Sequence, residues 1–514
     1  MKKFNKTKRN FGIALAAICL VSISSGCKKF LDTQKQGEYT AEDYPYPSGS
    51  GAYDQYLFGA YNDLRSYSVH VDGFIAATSI RSDDADKGST AADGGSDLIS
   101  MDSFPMIANN SRANALWIGY YALISKCNVT LDKIDNNATI ITTDAVKIQS
   151  RAESKFLRGY AYFMLVRLFG RVPLVDKLLS VEQSNVPQST PAQIYTLIES
   201  DLTFAAANLP VSWESKFVGR ITKGAANGVL AKVYLTQQKW AAAMGAATAV
   251  MTSGQYDLST PYDKIFSEAG ENSKESVFEV QATANATVKT NNGIQYASFQ
   301  GLRGGNGIWN MGWGFNTPST ALEAAYEPGD PRKVRTILYT STATTPGITI
   351  YGETTPLGLP NPRYNQKVYT SPSYRASVND YMGFWMNVRI LRYADVVLMY
   401  AEAANEVGGA ANTTIALAAL NSIRARARNG NNAILLNVTT TDQTALRLAI
   451  QQERRVELAM EHDRFFDIVR WGISQTAMSN AGKTAFSASR DNLLPIPQTQ
   501  IDLSKGVLTQ NFGY

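Results

Sequence analysis

The sequence predicts a mainly α-helical protein, a tetratricopeptide-like helical repeat scaffold with a large, irregular, loop-rich insertion. Three observations predict it. Apolar residues recur at three- and four-residue steps across much of 112–252. The same spacing returns over 390–474. Between about 254 and 388 no helical period is sustained, Gly, Asn, Thr and Pro are frequent, and aromatics are scattered singly. That stretch is too long to be bare linker in a compact domain, so it reads as loops with short helices and strands that carry function.

The chain opens with an export signal over residues 1–26. Lys2, Lys3, Lys6, Lys8 and Arg9 precede a mostly apolar run from Phe11 to Ile23, which is short for a membrane span. Ser24-Ser25-Gly26-Cys27 is a relaxed lipobox, and we expect Cys27 to be acylated. The remaining chain, 27–514, is expected to be one domain anchored by its acyl chains. The whole chain carries a formal net charge of +5, but removing those five basic residues brings Lys+Arg from 49 to 44, equal to Asp+Glu. No basic excess remains to attract nucleic acid. Of three cysteines, Cys127 alone falls on a predicted helix, which leaves no intrachain disulfide and reads as a buried structural thiol.

The first apolar stripe holds Trp117, Tyr120, Tyr121, Ile124, Cys127, Leu131 and Ile134. A second holds Leu157, Tyr160, Ala161, Met164, Leu165 and Leu168, stopped by Gly170 and Pro173. Further helices are expected from Ile194 to Leu209, from Thr222 through Tyr234, and from Trp240 to Met251; the Ala-rich pair over 222–251 looks like a tetratricopeptide hairpin. After the insertion come Tyr393–Ala404, Ala416–Ala427 and Leu446–Trp471. Stacked hairpins bury one another's faces and make a rigid frame for the loops.

Within the insertion, Tyr296–Phe315 has the most suggestive chemistry. Tyr296, Phe299, Trp309, Trp313 and Phe315 alternate with glycines and with Arg303, Asn306 and Asn310. A sugar offers flat C–H faces rimmed by hydroxyls, so its site needs aromatic platforms beside hydrogen-bonding groups. We therefore expect Tyr296, Arg303, Asn306, Trp309, Trp313 and Phe315 to contact ligand.

Three stretches resemble the SusD/RagB family. They are Arg151–Val175 with its Gly170-Arg171-Val172-Pro173 exit; Arg392–Ala403 together with Glu453-Arg454-Arg455, Glu461 and Arg470-Trp471-Gly472; and Leu494-Pro495-Ile496-Pro497-Gln498 followed by Gln510–Tyr514. The resemblance implies a SusD-like fold and a lipoprotein on the outer face of the outer membrane. It would lie over a SusC-like TonB-dependent transporter, bind oligosaccharide, or peptide in the RagB branch, and perform no catalysis. The repeats would form the frame and transporter-facing part. Ligand sites would also draw on the region before the first repeat helix, here the loop from Tyr67 to Asp102 with Arg81, Asp83 and Asp84.

Other chemistries find less support. Asp84-x-Asp86 opens like a calcium loop, but Gly88 and Gly95 stand where oxygen ligands are needed, so calcium is unsupported and no cofactor is expected. A lipid-anchored glycoside hydrolase would need two facing carboxylates. Glu453, Glu457 and Glu461 instead share one helix face, interleaved with Arg454, Arg455, Arg464 and Arg470, and read as a structural charge ladder. The two histidines, His70 and His462, adjoin no nucleophile elbow and cannot with one thiol make a transition-metal site. Gly301–Gly307 lacks the Gly-Lys-Ser/Thr ending of a phosphate loop.

Overall fold

The computed structural model describes residues 51–283 and 293–514. Cys27 and the export segment lie outside them. Residues 53–514 form one compact unit.

Among the described residues nine helices carry the frame: α1 (Asp54–Leu64), α2 (Ser111–Asn136), α3 (Asp144–Phe169), α4 (Pro191–Asn208), α5 (Lys223–Thr236), α6 (Trp240–Met251), α7 (Tyr393–Val407), α8 (Ala410–Arg428) and α9 (Gln443–Glu457). Their starts follow from capping chemistry. The Asn110 side chain accepts from the first-turn amides of Arg112 and Ala113, and Thr143 and Thr222 do the same for α3 and α5. Thr190 and Gln193 form a reciprocal capping box ahead of α4, with Pro191 at its first position.

Each helix from α1 to α8 packs on the next in order. The array does not break at the insertion, because α6 lies directly against α7 although 141 residues separate them in sequence. Apolar stripes on α2 to α6 join one core around Phe156, Leu157, Tyr160 and Leu165. Burying each such side chain stabilises the fold by about 1.5–3 kcal/mol. Cys127 is in that core, where loss of water pushes its thiol far above the ordinary range and makes it inert. Close approach is built in at Gly228, where a Cβ would stand 2.4 Å from Leu391.

Short antiparallel strand pairs fix the insertion. Strand β2 (Ser276–Val280) runs against β6 (Val388–Arg392), joining the insertion's entry to its exit. Strand β1 (Ala85–Gly88) pairs with β3 (Phe315–Pro318), Ala85 opposite Pro318 and Gly88 opposite Phe315. Strands β4 (Ile337–Tyr339) and β5 (Arg363–Asn365) complete the set. The expected loop from Tyr67 to Asp102 is largely short helices, over Tyr67–His70, Asp72–Ile75, Ala76–Ile80 and Gly95–Ser103, and the β1–β3 pair draws this region onto the Tyr296–Phe315 segment.

One expected helix is two. Leu446–Trp471 divides into α9 and α10 (Arg464–Arg470), because Met460 and His462 adopt left-handed backbone between them. Glu461 therefore leaves the line of Glu453 and Glu457. The charge ladder also has other partners than its neighbours in sequence. Glu453 meets Arg332 and Arg424; Glu457 meets Arg332, Arg392 and Arg426; Glu461 meets Arg392 and Lys367. It is a buried network knitting α8 and α9 to the insertion, not a surface ladder along one helix.

Candidate functional site

The Tyr296–Phe315 segment folds back on itself. Met311 and Gly312 amides both donate to the Leu302 carbonyl, and Trp313 N–H donates to Ser298 O at 2.8 Å. Gly312 must be glycine, since a Cβ there would stand 2.0 Å from the Ser298 carbonyl oxygen.

This closure splits the segment into buried and exposed sides. Phe299 is buried, 4.9 Å from the Phe315 ring and 6.0 Å from that of Trp313. Trp313 is half-buried over it and meets the edge of Tyr67, which is 41% exposed, at 6.1 Å. At the loop tip Asn306 is exposed, and Trp309 is half-buried, 6.5 Å from Tyr369. Ile308 beside it is 47% exposed.

Polar groups lie beside the next residue, Gly314. The Arg303 side chain packs against the α-carbon side of Gly314, where a Cβ would meet it at 2.8 Å, and its guanidinium donates to Asp93 at 3.0 Å. Asp93 also accepts from the Thr90 and Ser89 hydroxyls, which hold its carboxyl down at about 2. Both side chains keep part of their surface in water. Tyr67, Trp313, Arg303 and Asp93 thus combine a ring surface with ionised donors and acceptors.

Five expected contacts are corrected. Tyr296 is buried, its hydroxyl 2.8 Å from His462 Nε2, and Phe315 is sealed in β3. Arg81 is 0% exposed, lies over the Phe465 ring at 4.3 Å and donates to the Asp491 carbonyl. Asp83 and Asp84 are each 2% exposed. Asp83 takes a two-pronged bond from Arg464, 2.8 Å on each arm, and Asp84 accepts from Arg455 at 2.7 Å. Burial favours the neutral acid at Asp83, but Arg464 and Arg455 outweigh it and hold the carboxyl below the usual range. These side chains are enclosed by the fold and cannot reach a surface ligand. Among the described residues no group of three or more His, Cys, Asp or Glu is placed to hold a metal.

Neither Tyr67 nor Asp93 is marked as a site residue by its neighbours in sequence. Tyr67 falls in no helical stripe, and Ser89-Thr90-x-x-Asp93 is a turn motif whose value comes from Arg303, 210 residues away.

Known proteins share this architecture. The model of the SusD family matches residues 274–514, and a second, described as starch-binding and associating with the outer membrane, matches 54–235. The chain belongs to the SusD/RagB family. The SusD-like protein P2 of Formosa agariphila is 28% identical over 477 residues, covering 89% of this chain and 91% of its own. A solved laminarin-binding SusD-like protein is 29% identical with a TM-score of 0.74, over 90% of this chain and 99% of that one. Surface glycan-binding protein A from Bacteroides fluxus is 25% identical with a TM-score of 0.75, over 91% and 100%. The SusD-like frame is the helical array above. Among the described residues no helix is long and apolar enough to cross a membrane.

Proposed function

We propose that this SusD-like protein is a lipid-anchored, non-catalytic glycan-binding protein of the outer membrane, which captures oligosaccharide and passes it to a SusC-like TonB-dependent transporter. The observation that carries the reading is the half-exposed Trp313 ring set against Tyr67, on the same segment whose Arg303 pairs with Asp93 at the surface. A sugar ring laid on Trp313 would place its C–H face on the indole, and the ionised Arg303–Asp93 pair of the same surface would offer hydrogen bonds to hydroxyls of the chain. The laminarin-binding relative and the starch-binding family description support a glycan as cargo.

Binding without cleavage fits the acids weighed above. Glycosidic cleavage needs a carboxylic acid held protonated. Burial would raise Glu457, yet Arg426, Arg392 and Arg332 around it bring it down to about 2. It is ionised, enclosed and spent on ion pairs. Anchoring through Cys27 and seating on a transporter belong to the same proposal.

Calorimetry with glycans of the laminarin and starch types tests it. Trp313→Ala should weaken binding by about 1 kcal/mol, roughly fivefold in Kd, by loss of stacking. Trp309→Ala, at the loop tip, reports whether that ring shares the ligand. Unchanged affinity in both variants would remove the site.

A further inference from the structure

A second concavity lies away from the 296–315 loop, between α1, the α4–α5 connection and strand β2. It consists of two openings of about 490 and 470 Å³ that share Val218, Gly219, Arg220, Phe278, Glu279 and Gln281 in their walls. Each is within the size range of small-ligand sites. They are halves of one groove, pinched where Gly219 passes Gln281 so closely that a Cβ would stand 2.1 Å from Gln281 Cγ.

Each half has an aromatic wall. Trp213 is half-buried in the first, and Phe58, 46% exposed, lines the second. The Arg220 guanidinium lies between the halves, 4.4 Å from the Trp213 ring centre and 5.6 Å from that of Phe58. Its charge is already spent. Arg220 donates to Glu153 at 2.6 and 3.0 Å and to Asp54 at 3.1 and 3.2 Å. Outward, the first half of the groove offers the Asn272 carboxamide and the Lys274 ammonium, which donates to the Gln255 carbonyl at 3.1 Å. Asn272 and Gln281 exchange hydrogen bonds at 3.0 and 2.9 Å. Gln281 is otherwise taken up by the Glu279 carbonyl and the Asn387 amide, whereas the exposed Asn272 carboxamide keeps a further N–H and a further lone pair.

We propose that this groove is a second binding site, for an uncharged oligosaccharide chain. Two aromatic walls supply apolar faces and the Asn272 carboxamide supplies a donor and an acceptor. The lining cations Arg220, Lys274 and Arg65 are balanced by Glu214 and Glu279 of the walls and by Glu153 and Asp54 on Arg220, so an acidic sugar meets no net positive charge. Arg65 at one end of the groove is two residues from Tyr67, a span of at most about 7 Å along the backbone, so one polymer can engage both sites. The inference goes beyond the reading of the Trp313 surface and does not depend on it.

Titration calorimetry of the full chain tests the two separately, with laminarihexaose, maltohexaose and xylohexaose as neutral probes and hexagalacturonate as the charged control. The variant Asn272→Gly removes the exposed amide at a left-handed position that glycine accepts and should keep the wild-type melting temperature. We expect it to lose one binding component, its Kd rising roughly tenfold, while Tyr67→Ala/Trp313→Ala spares that component. If the amide variant titrates like wild type, the groove is no glycan site and the Trp313 reading stands untouched. If only the amide variant loses affinity, the groove stands and the Trp313 reading falls. Hexagalacturonate bound in the groove as tightly as the neutral chains overturns the assignment, and so does a wild type that binds none of the three neutral probes, which removes both sites.

Discussion

The stretches Arg81–Asp84 and Arg303–Trp313 look alike in sequence, both polar, short and outside any helical stripe. The fold gives them opposite surroundings. Asp83 and Asp84 are turned inward onto Arg464 and Arg455, arginines 381 and 371 residues further along the chain. Arg303 finds Asp93 at the surface and leaves the Trp313 ring partly open. A run of charge therefore says that a partner exists and is silent on where it is. Buried ions are tolerated only when paired, so an acidic loop in sequence is as ready to be a rivet as a site.

The largest expected difference between the two regions is in stability. Asp83→Ala leaves the enclosed Arg464 without its two-pronged partner and should cost about 3–5 kcal/mol in denaturant unfolding. A loss below about 1 kcal/mol, accompanied by loss of glycan affinity, would reverse the comparison. Next comes acid. His70 and His462, both buried on either flank of the Phe74 ring, are held by loss of water at about 4 and about 3, against about 6.5 in the unfolded chain. Between those values the unfolded chain takes up the protons and the folded one does not. Stability should therefore fall as pH drops from about 6.5 to about 4, by roughly 3 kcal/mol per histidine. A His462→Gln variant should show about half the wild-type slope in melting temperature against pH; an unaltered slope would assign the acid response to other groups. The smallest effect belongs to the exposed pair. Arg303→Ala should change stability by less than about 1 kcal/mol while weakening glycan binding, as a half-exposed ion pair contributes little to folding.

Much of the frame was legible. Three- and four-residue periodicity located α2 to α8, and Gly170 marked the end of α3 correctly, while the Thr190 cap and Pro191 begin α4 three residues ahead of the expected Ile194. The Leu446–Trp471 stripe failed at Met460 and His462, whose left-handed backbone no apolar period reveals. In the candidate site, the alternation of aromatics and glycines in 296–315 identified a segment but could not divide it. Tyr296 and Phe315 satisfy the same pattern as Trp313, yet one binds His462 and the other lies in a strand.

By itself, the sequence determined the local things: helix positions, their caps, the family motifs, and the absence of a charge excess once the leading basic residues are set aside. These depend on neighbours a few residues apart. Which rings face outward, and which carboxylates meet which arginines, only the tertiary structure decided. Exposure is set when α6 closes onto α7 and β1 onto β3, contacts between segments more than a hundred residues apart that no local spacing encodes.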